Sequence, residues 1–288
     1  LKMSNIKQIF VVGSSRSGTT MMGRILGSHS DIFTFKELHF FGTIWTNNSN
    51  PDLNSQEQID LLSRLLCIQE DGLFNQQNIS VFNEEAIALL AHKNICNPLS
   101  IYDLFLSAMS NENKSSISCE QTPKNIYYLN EILAFFPQAK IINMVRDQRD
   151  VLLSQKNKWK RRFLGASKIP LSEAIRSYIN YHPILTSKVW NSSLEHTAKY
   201  FDNERVKIVK FEELLAKSEF VVKDICNFLA IEFHPQMLNV SVVGSSTEQD
   251  NKDSFLLDSS KIEKWKKGGL NSAEIYLSQL TSHKMMSK

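Results

Sequence analysis

Three short runs of β-branched and aromatic residues punctuate the chain: Gln-Ile-Phe-Val-Val at 8–12, Lys-Ile-Ile-Asn-Met-Val at 140–145 and Val-Lys-Ile-Val-Lys at 206–210. Runs of this length and make-up predict buried strands. Residues 116–119 predict a fourth, shorter strand, closed by Pro123. Between the strands, apolar residues recur at helical spacing. Met22, Ile25 and Leu26 place a helix over 19–26, and 56–111 is helical in pieces broken near Asp71-Gly72 and Asn97-Pro98. A helix over 125–136 stops at Pro137, which cannot continue it. Another runs over 147–159 with Asp147 at its N-cap. Residues 171–200 predict one long helix, bent at Pro183, and 220–229 one more. Residues 46–56 read as a loop, and 241–260 is a polar stretch without period, also read as a loop. Strands separated by helices predict an α/β fold: three layers, with a central parallel sheet flanked by helices. No internal repeat divides the 288 residues, so one domain over 1–288 is expected, with a helical insertion at about 50–112.

Composition narrows this picture little. Apolar residues make up 42% and charged residues 22%, ordinary for a globular chain. A net charge of +3 is too small to argue for nucleic acid, and fits an anion held in one local pocket. Cys67, Cys96, Cys119 and Cys226 lie far apart without metal-ligand spacing, which predicts buried free thiols, no zinc and no disulfide framework. No run approaches 18 apolar residues and no signal-peptide layout opens the chain, so a cytoplasmic protein without a membrane span is expected. The chain starts at Leu1 rather than Met, which leaves room for a trimmed or fused N-terminus.

The chemistry begins at Gly13-Ser-Ser-Arg16-Ser17-Gly18-Thr19-Thr20, which has P-loop spacing between a strand and a helix. Backbone N–H groups in such a loop, with the helix N-terminus behind them, bind phosphate oxygens. An NTPase would carry Lys where this chain has Thr19. The loop instead resembles the 5′-phosphosulfate loop of sulfotransferases, in the GxxRSGTT form of tyrosylprotein and many bacterial enzymes. A second block, Val145-Arg146-Asp-Gln-Arg-Asp-Val-Leu-Leu-Ser154, is similar to that family's 3′-phosphate segment. The resemblance implies a P-loop-containing fold and 3′-phosphoadenosine 5′-phosphosulfate as donor, with no metal. It places Arg16, Ser17, Gly18, Thr19 and Thr20 on the 5′ side, and Arg146 and Ser154 on the 3′-phosphate. Guanidinium recognition of phosphate is bidentate, which Lys reproduces poorly.

Weaker similarities extend along the chain. Ser245–Gln249 and Lys264-Trp265 resemble the family's late cofactor-covering loop, expected here at about 241–268, with Ser246 and Lys264 touching the nucleotide or sulfate. Phe211-Glu-Glu-Leu resembles a strand end where the family commonly has Tyr. Cys119-Glu-Gln-Thr-Pro departs from the family at Gln121, where a Lys near the transferred group is usual. Lys124 is one candidate to supply that charge. Lys158 is a further 3′-phosphate candidate, with a solvated helix position as its plain alternative.

The family's base-bearing turn falls, by resemblance, at Phe33-Thr-Phe-Lys-Glu37-Leu-His39-Phe-Phe. Glu37 is the expected base and His39 its rival, His being the commonest general base. The aromatic neighbours should partly desolvate Glu37 and raise its pKa. Arg16 and the helix N-terminus would stabilise the leaving oxygen. The acceptor is expected to be a hydroxyl, of a carbohydrate first, with tyrosine peptides, lipids and small metabolites also open. The basic run at 158–162 could receive an acidic glycan, or simply be a solvated face. A P-loop nucleotide kinase and a non-catalytic nucleotide-binding protein are the alternatives.

Overall fold

The computed structural model describes residues 6–47, 52–164, 166, 169–242, 251–255, 257 and 259–286. Five parallel strands form the sheet: β1 (Gln8–Gly13), β2 (Ile32–Thr34), β3 (Ile117–Glu120), β4 (Lys140–Val145) and β5 (Val206–Lys210), in the order β2-β3-β1-β4-β5. β1 is buried along its whole length. Its side chains alternate between two cores, as a two-residue period requires. Ile9 and Val11 enter one with Ile142, Met144 and Val209; Phe10 and Val12 enter the other with Ile141 and Val206.

Helices cover both faces. On the Ile9 face lie α1 (Thr19–Gly27), α9 (Phe211–Ala216) and α10 (Ser218–Leu229). The Phe10 face packs against α2 (Ser55–Asp71), α4 (Pro98–Glu112) and α5 (Leu129–Phe135), with α3 (Asn83–Leu90) outside α2. Asn143 of β4, fully buried, donates to Thr197 Oγ1 at 2.8 Å and so ties the sheet to α8 (Pro183–Ala198). The helices α6 (Gln148–Lys156), α7 (Leu171–Ile179) and α11 (Ser272–Met286) complete the α elements. All four expected strands agree with the structure to within one residue at each end.

Elsewhere the structure differs from the periodicity. The helix expected over 171–200 is two helices, because Pro183 lacks an N–H and starts α8 at its first turn. The helix expected over 147–159 ends at Lys156 and continues as a 3₁₀ helix, Lys158–Leu164. Residues 123–128 are likewise 3₁₀ before α5 begins. The polar stretch from 241 is not all loop, since β6 (Ser241–Val242) pairs antiparallel with β7 (Asn251–Phe255). Cys96 is exposed rather than buried; the other three thiols are buried, and all four are unpaired. No helix among the described residues is long and apolar enough to cross a membrane.

Chain order reverses around β1: β2 and β3 lie on one side of it, β4 and β5 on the other. Open parallel sheets bind ligands at the carboxyl ends of strands beside such a reversal. The loops that leave β1, β2, β3 and β4 there carry Arg16, Ser17, Gly18, Glu37, His39, Gln121 and Arg146, and the helices after β1 and β4 add Thr19, Thr20 and Ser154.

Candidate active site

Gly13 and Gly18 set the loop between β1 and α1. A Cβ on Gly13 would lie 2.3 Å from the Met144 carbonyl oxygen, so only glycine lets the end of β1 press against β4. Gly18 has φ +94°, and a Cβ there would lie 2.5 Å from the Phe211 ring. As N-cap it offers no side chain, so no cap competes for the first N–H groups of α1. Thr19 and Ser17 are buried, and Thr20 is half-buried. Arg16 adopts the left-handed conformation, φ +72°.

Arg16 Nε donates to Ser154 Oγ at 2.9 Å, and Arg146 Nη1 donates to the Arg16 carbonyl at 3.2 Å. These two contacts join the β1 loop to the β4–α6 segment. Asp147 caps α6 by accepting from Arg149 N at 2.8 Å, which leaves Ser154 buried in the second turn. The Arg146 guanidinium lies 4.2 Å over the Phe211 ring, and Asp147 N donates to Glu212 at 2.9 Å. The Phe-Glu-Glu-Leu stretch therefore braces both the loop after β1 and the segment after β4.

Buried donors without a partner among the described residues include Ser17 Oγ, Arg146 Nε and Arg161 Nε. Unpaired buried donors cost free energy, more so on a charged group. Several cations crowd the same space. Burial first, then Arg161 and Arg146 beside it, pulls the Arg16 guanidinium down from 12.5 to about 9, against the opposing charge of Glu37. Burial, Arg16 and Arg161 likewise lower Lys158, with Glu37 and Glu173 opposing. A cluster with this excess of donors and positive charge is complementary to a polyanion.

Glu37 lies in the turn after β2, about two-fifths exposed, with Oε2 3.3 Å from His39 Nε2. Burial pushes its carboxyl up, but the His39 hydrogen bond and the charges of His39, Arg161 and Arg16 outweigh this, and the net pKa is lowered. The expected rise is thus corrected: Phe35, Phe40 and Phe41 are buried in the core behind the turn, while cations face the carboxylate. Glu37 and His39 are partners in one contact.

The other expected residues are distributed as follows. Lys264 sits half-exposed in a 3₁₀ turn, Lys264–Lys267, which Trp265 N anchors to Asp150 of α6 at 2.9 Å. Ser246 lies outside the described residues. Gln121 is buried and donates to the Phe35 carbonyl at 2.8 Å. Lys124 is exposed, and the charges that act on Glu37 come from His39, Arg161 and Arg16. Lys158 responds to Arg16, Arg161 and Glu37. In the sequence Arg161 is only one member of the basic run at 158–162. In a 3₁₀ helix residues three apart share a face, so Lys158 and Arg161 turn together toward Glu37. On the other faces Trp159 and Phe163 line an apolar groove of about 380 Å³ with Leu171, Ala174, Ile175 and Tyr178 of α7. Among the described residues no group of His, Cys, Asp and Glu could hold a metal ion.

Residues 8–235 match the model of the Sulfotransferase family, and the chain belongs to that family. A Caenorhabditis briggsae protein carried under the provisional name protein-tyrosine sulfotransferase is 24% identical over 265 residues, 87% of this chain and 76% of that protein. An uncharacterized Aquifex aeolicus protein is 24% identical over 269 residues, 91% of this chain but 30% of that protein. Among solved structures, the sulfotransferase domain from the curacin biosynthetic pathway has TM-score 0.58 at 18% identity, covering 98% of each chain. The sulfotransferase domain of the Synechococcus PCC 7002 olefin synthase has TM-score 0.59 at 18% identity, covering 98% of this chain and 97% of that one. Both show the same P-loop-containing α/β fold.

Proposed function

We propose that this chain moves a sulfuryl group from 3′-phosphoadenosine 5′-phosphosulfate to an acceptor hydroxyl, as one domain in which residues about 50–112 are a helical insertion. The observation that carries this reading is the 2.9 Å contact between Arg16 and Ser154, 138 residues apart, which brings the loop after β1 and the segment after β4 together. Arg16, Ser17, Gly18, Thr19 and Thr20 would hold the 5′ end of the donor, and Arg146 and Ser154 its 3′-phosphate. Lys264 and Ser246 would cover the nucleotide. The unpaired Ser17 Oγ and Arg146 Nε fit such a ligand, since each gains a partner when an anion enters.

The donor supplies an activated sulfuryl group on a phosphate leaving oxygen. Chain residues do the rest. Glu37, ionised through neutrality because cations face it, accepts the acceptor's proton, and His39 orients its carboxylate. Arg16 and the uncapped start of α1 stabilise charge on the leaving oxygen. Lys158 and Arg161 bring to the Glu37 side the positive charge that Gln121 does not carry. Thr19 in place of the NTPase Lys argues for transfer without a divalent ion.

For the acceptor we favour a carbohydrate hydroxyl, with Lys158 and Arg161 receiving an acidic substituent. The test is sulfur-labelled donor incubated with fractionated acceptor pools, with and without excess chelator. Label on hydroxyl-bearing glycans that survives chelation is expected. A strict Mg²⁺ requirement, or transfer of phosphate from ATP instead, would overturn the reading in favour of a kinase.

A further inference from the structure

The end of β3 carries a buried carboxylate that the reaction described above does not use. Glu120 is 1% exposed and accepts from Leu38 N at 3.3 Å, from Thr122 N at 3.2 Å, from the Thr122 hydroxyl and from Asn125 Nδ2. The Thr122 hydroxyl in turn accepts from His39 N at 3.1 Å. One side chain thus fixes the two peptide groups that follow Glu37: Leu38 directly, and His39 through Thr122. The hold is needed, because His39 sits at φ +51°, a conformation a non-glycine residue adopts only when its surroundings impose it. That conformation brings the imidazole to 3.3 Å from the Glu37 carboxylate.

We propose that Glu120 and Thr122 are positioning residues for the proton-accepting turn, aiming Glu37 through the backbone of residues 38 and 39. The proposal rests on the reading of Glu37 as the base. Loosening the turn frees His39 from Glu37 and lets the carboxylate drift, and misplacement by about 1 Å can cost roughly 100-fold in rate. Donor binding is untouched, because none of these residues belongs to the 13–20 loop or the β4–α6 segment.

The groups that face the turn are few enough to read a pH profile. Glu37 is met by His39 in its own turn, by Arg16 from the β1 loop, and by Lys158 and Arg161 from the 3₁₀ helix after α6. Glu120 is met by His39, by Tyr102 of α4 and by Cys119 of β3. The His39 contact is the strongest influence holding Glu37 down, so losing it moves the acid limb of kcat/KM upward.

The test compares Thr122→Val, Thr122→Ser and Glu120→Gln with wild type. Thr122→Val should lower kcat about 10- to 100-fold, leave the Kd for adenosine 3′,5′-bisphosphate within about twofold, and shift the acid limb up. Thr122→Ser should restore all three. Glu120→Gln should show the same split, and if it fails to fold, the Thr122 pair decides. Unchanged kcat in Thr122→Val, equal loss of kcat and nucleotide binding, or no rescue by Ser would overturn the proposal. Glu37→Gln separates the two ideas. If that variant is impaired while Thr122→Val is not, positioning fails and the base stands; if Glu37→Gln is fully active, the base itself fails.

Discussion

On the donor side of the site, backbone sets the geometry: Gly13 and Gly18 allow close approach to Met144 and Phe211, α1 starts without a side-chain cap, and Arg146 rests on an aromatic ring. On the proposed acceptor side, side chains from distant segments set it: Glu37 and His39 follow β2, Glu120 ends β3 with Thr122 just beyond it, and Lys158 and Arg161 come from a 3₁₀ helix more than a hundred residues after Glu37. Under the proposed function the first arrangement serves an anion of constant shape, for which a fixed loop suffices. The second, under the same proposal, aligns a proton acceptor with the acceptor hydroxyl, through contacts that lie outside the loop.

If the two sides are separable, Glu37→Gln should damage one alone. Loss of a general base lowers rates by about 10²- to 10⁴-fold, so kcat should fall by that order while nucleotide affinity holds. Steady-state kinetics beside calorimetric titration reads both. A parallel fall in nucleotide affinity would mean that Glu37 helps to hold the donor.

Phe211→Ala should do the opposite. The ring is buried, packs on Gly18 and lies beneath Arg146, so its loss should cost about 3–5 kcal/mol of stability and weaken nucleotide binding as well. Denaturant unfolding and titration together check this. A stable variant with normal nucleotide affinity would show that the brace is unnecessary.

A smaller effect separates the sides by pH. Burial raises Glu120 from 4.5 to about 7, against the hydrogen bonds from Thr122 and Leu38 and the charge of His39. A raised carboxylate contributes stability that is complete below its ordinary value and is lost as pH rises through about 7. The gap corresponds to about 3 kcal/mol. Wild type should therefore lose stability relative to Glu120→Gln between about pH 4.5 and 7, followed by chemical unfolding. Parallel curves for the two proteins would contradict the raised value.

The same contrast explains what could be read from the sequence. Loop and strand are contiguous in Gly13–Thr20 and in Arg146–Ser154, so spacing alone carries their geometry, and β1, β4 and β5 followed from their apolar runs. β2, only three residues long, left no run to see. The lowered pKa of Glu37 depends on Arg161 and Arg16, which reach it only in the folded chain, whereas its aromatic neighbours in sequence turn into the core. Arg161 was hidden because a basic run reads alike on a solvated α-helix and on a 3₁₀ helix that turns two of its cations inward. Glu120 and Thr122 fall between the expected strand over 116–119 and Pro123 and carry no spacing signal of their own, because their hydrogen bonds to residues 38 and 39 span more than eighty residues.

The central claim, that Arg16 and Ser154 close one pocket around both ends of a 3′-phosphorylated nucleotide, is tested most directly by titrating wild type and Arg146→Ala with adenosine 3′,5′-bisphosphate and with AMP, both in chelator. A charge-assisted contact contributes about 1.5–3 kcal/mol, roughly 10- to 150-fold in Kd. Wild type should prefer the bisphosphate by at least that much, and Arg146→Ala should lose most of the preference while still binding AMP. Equal affinity of the wild type for the two nucleotides would contradict the account.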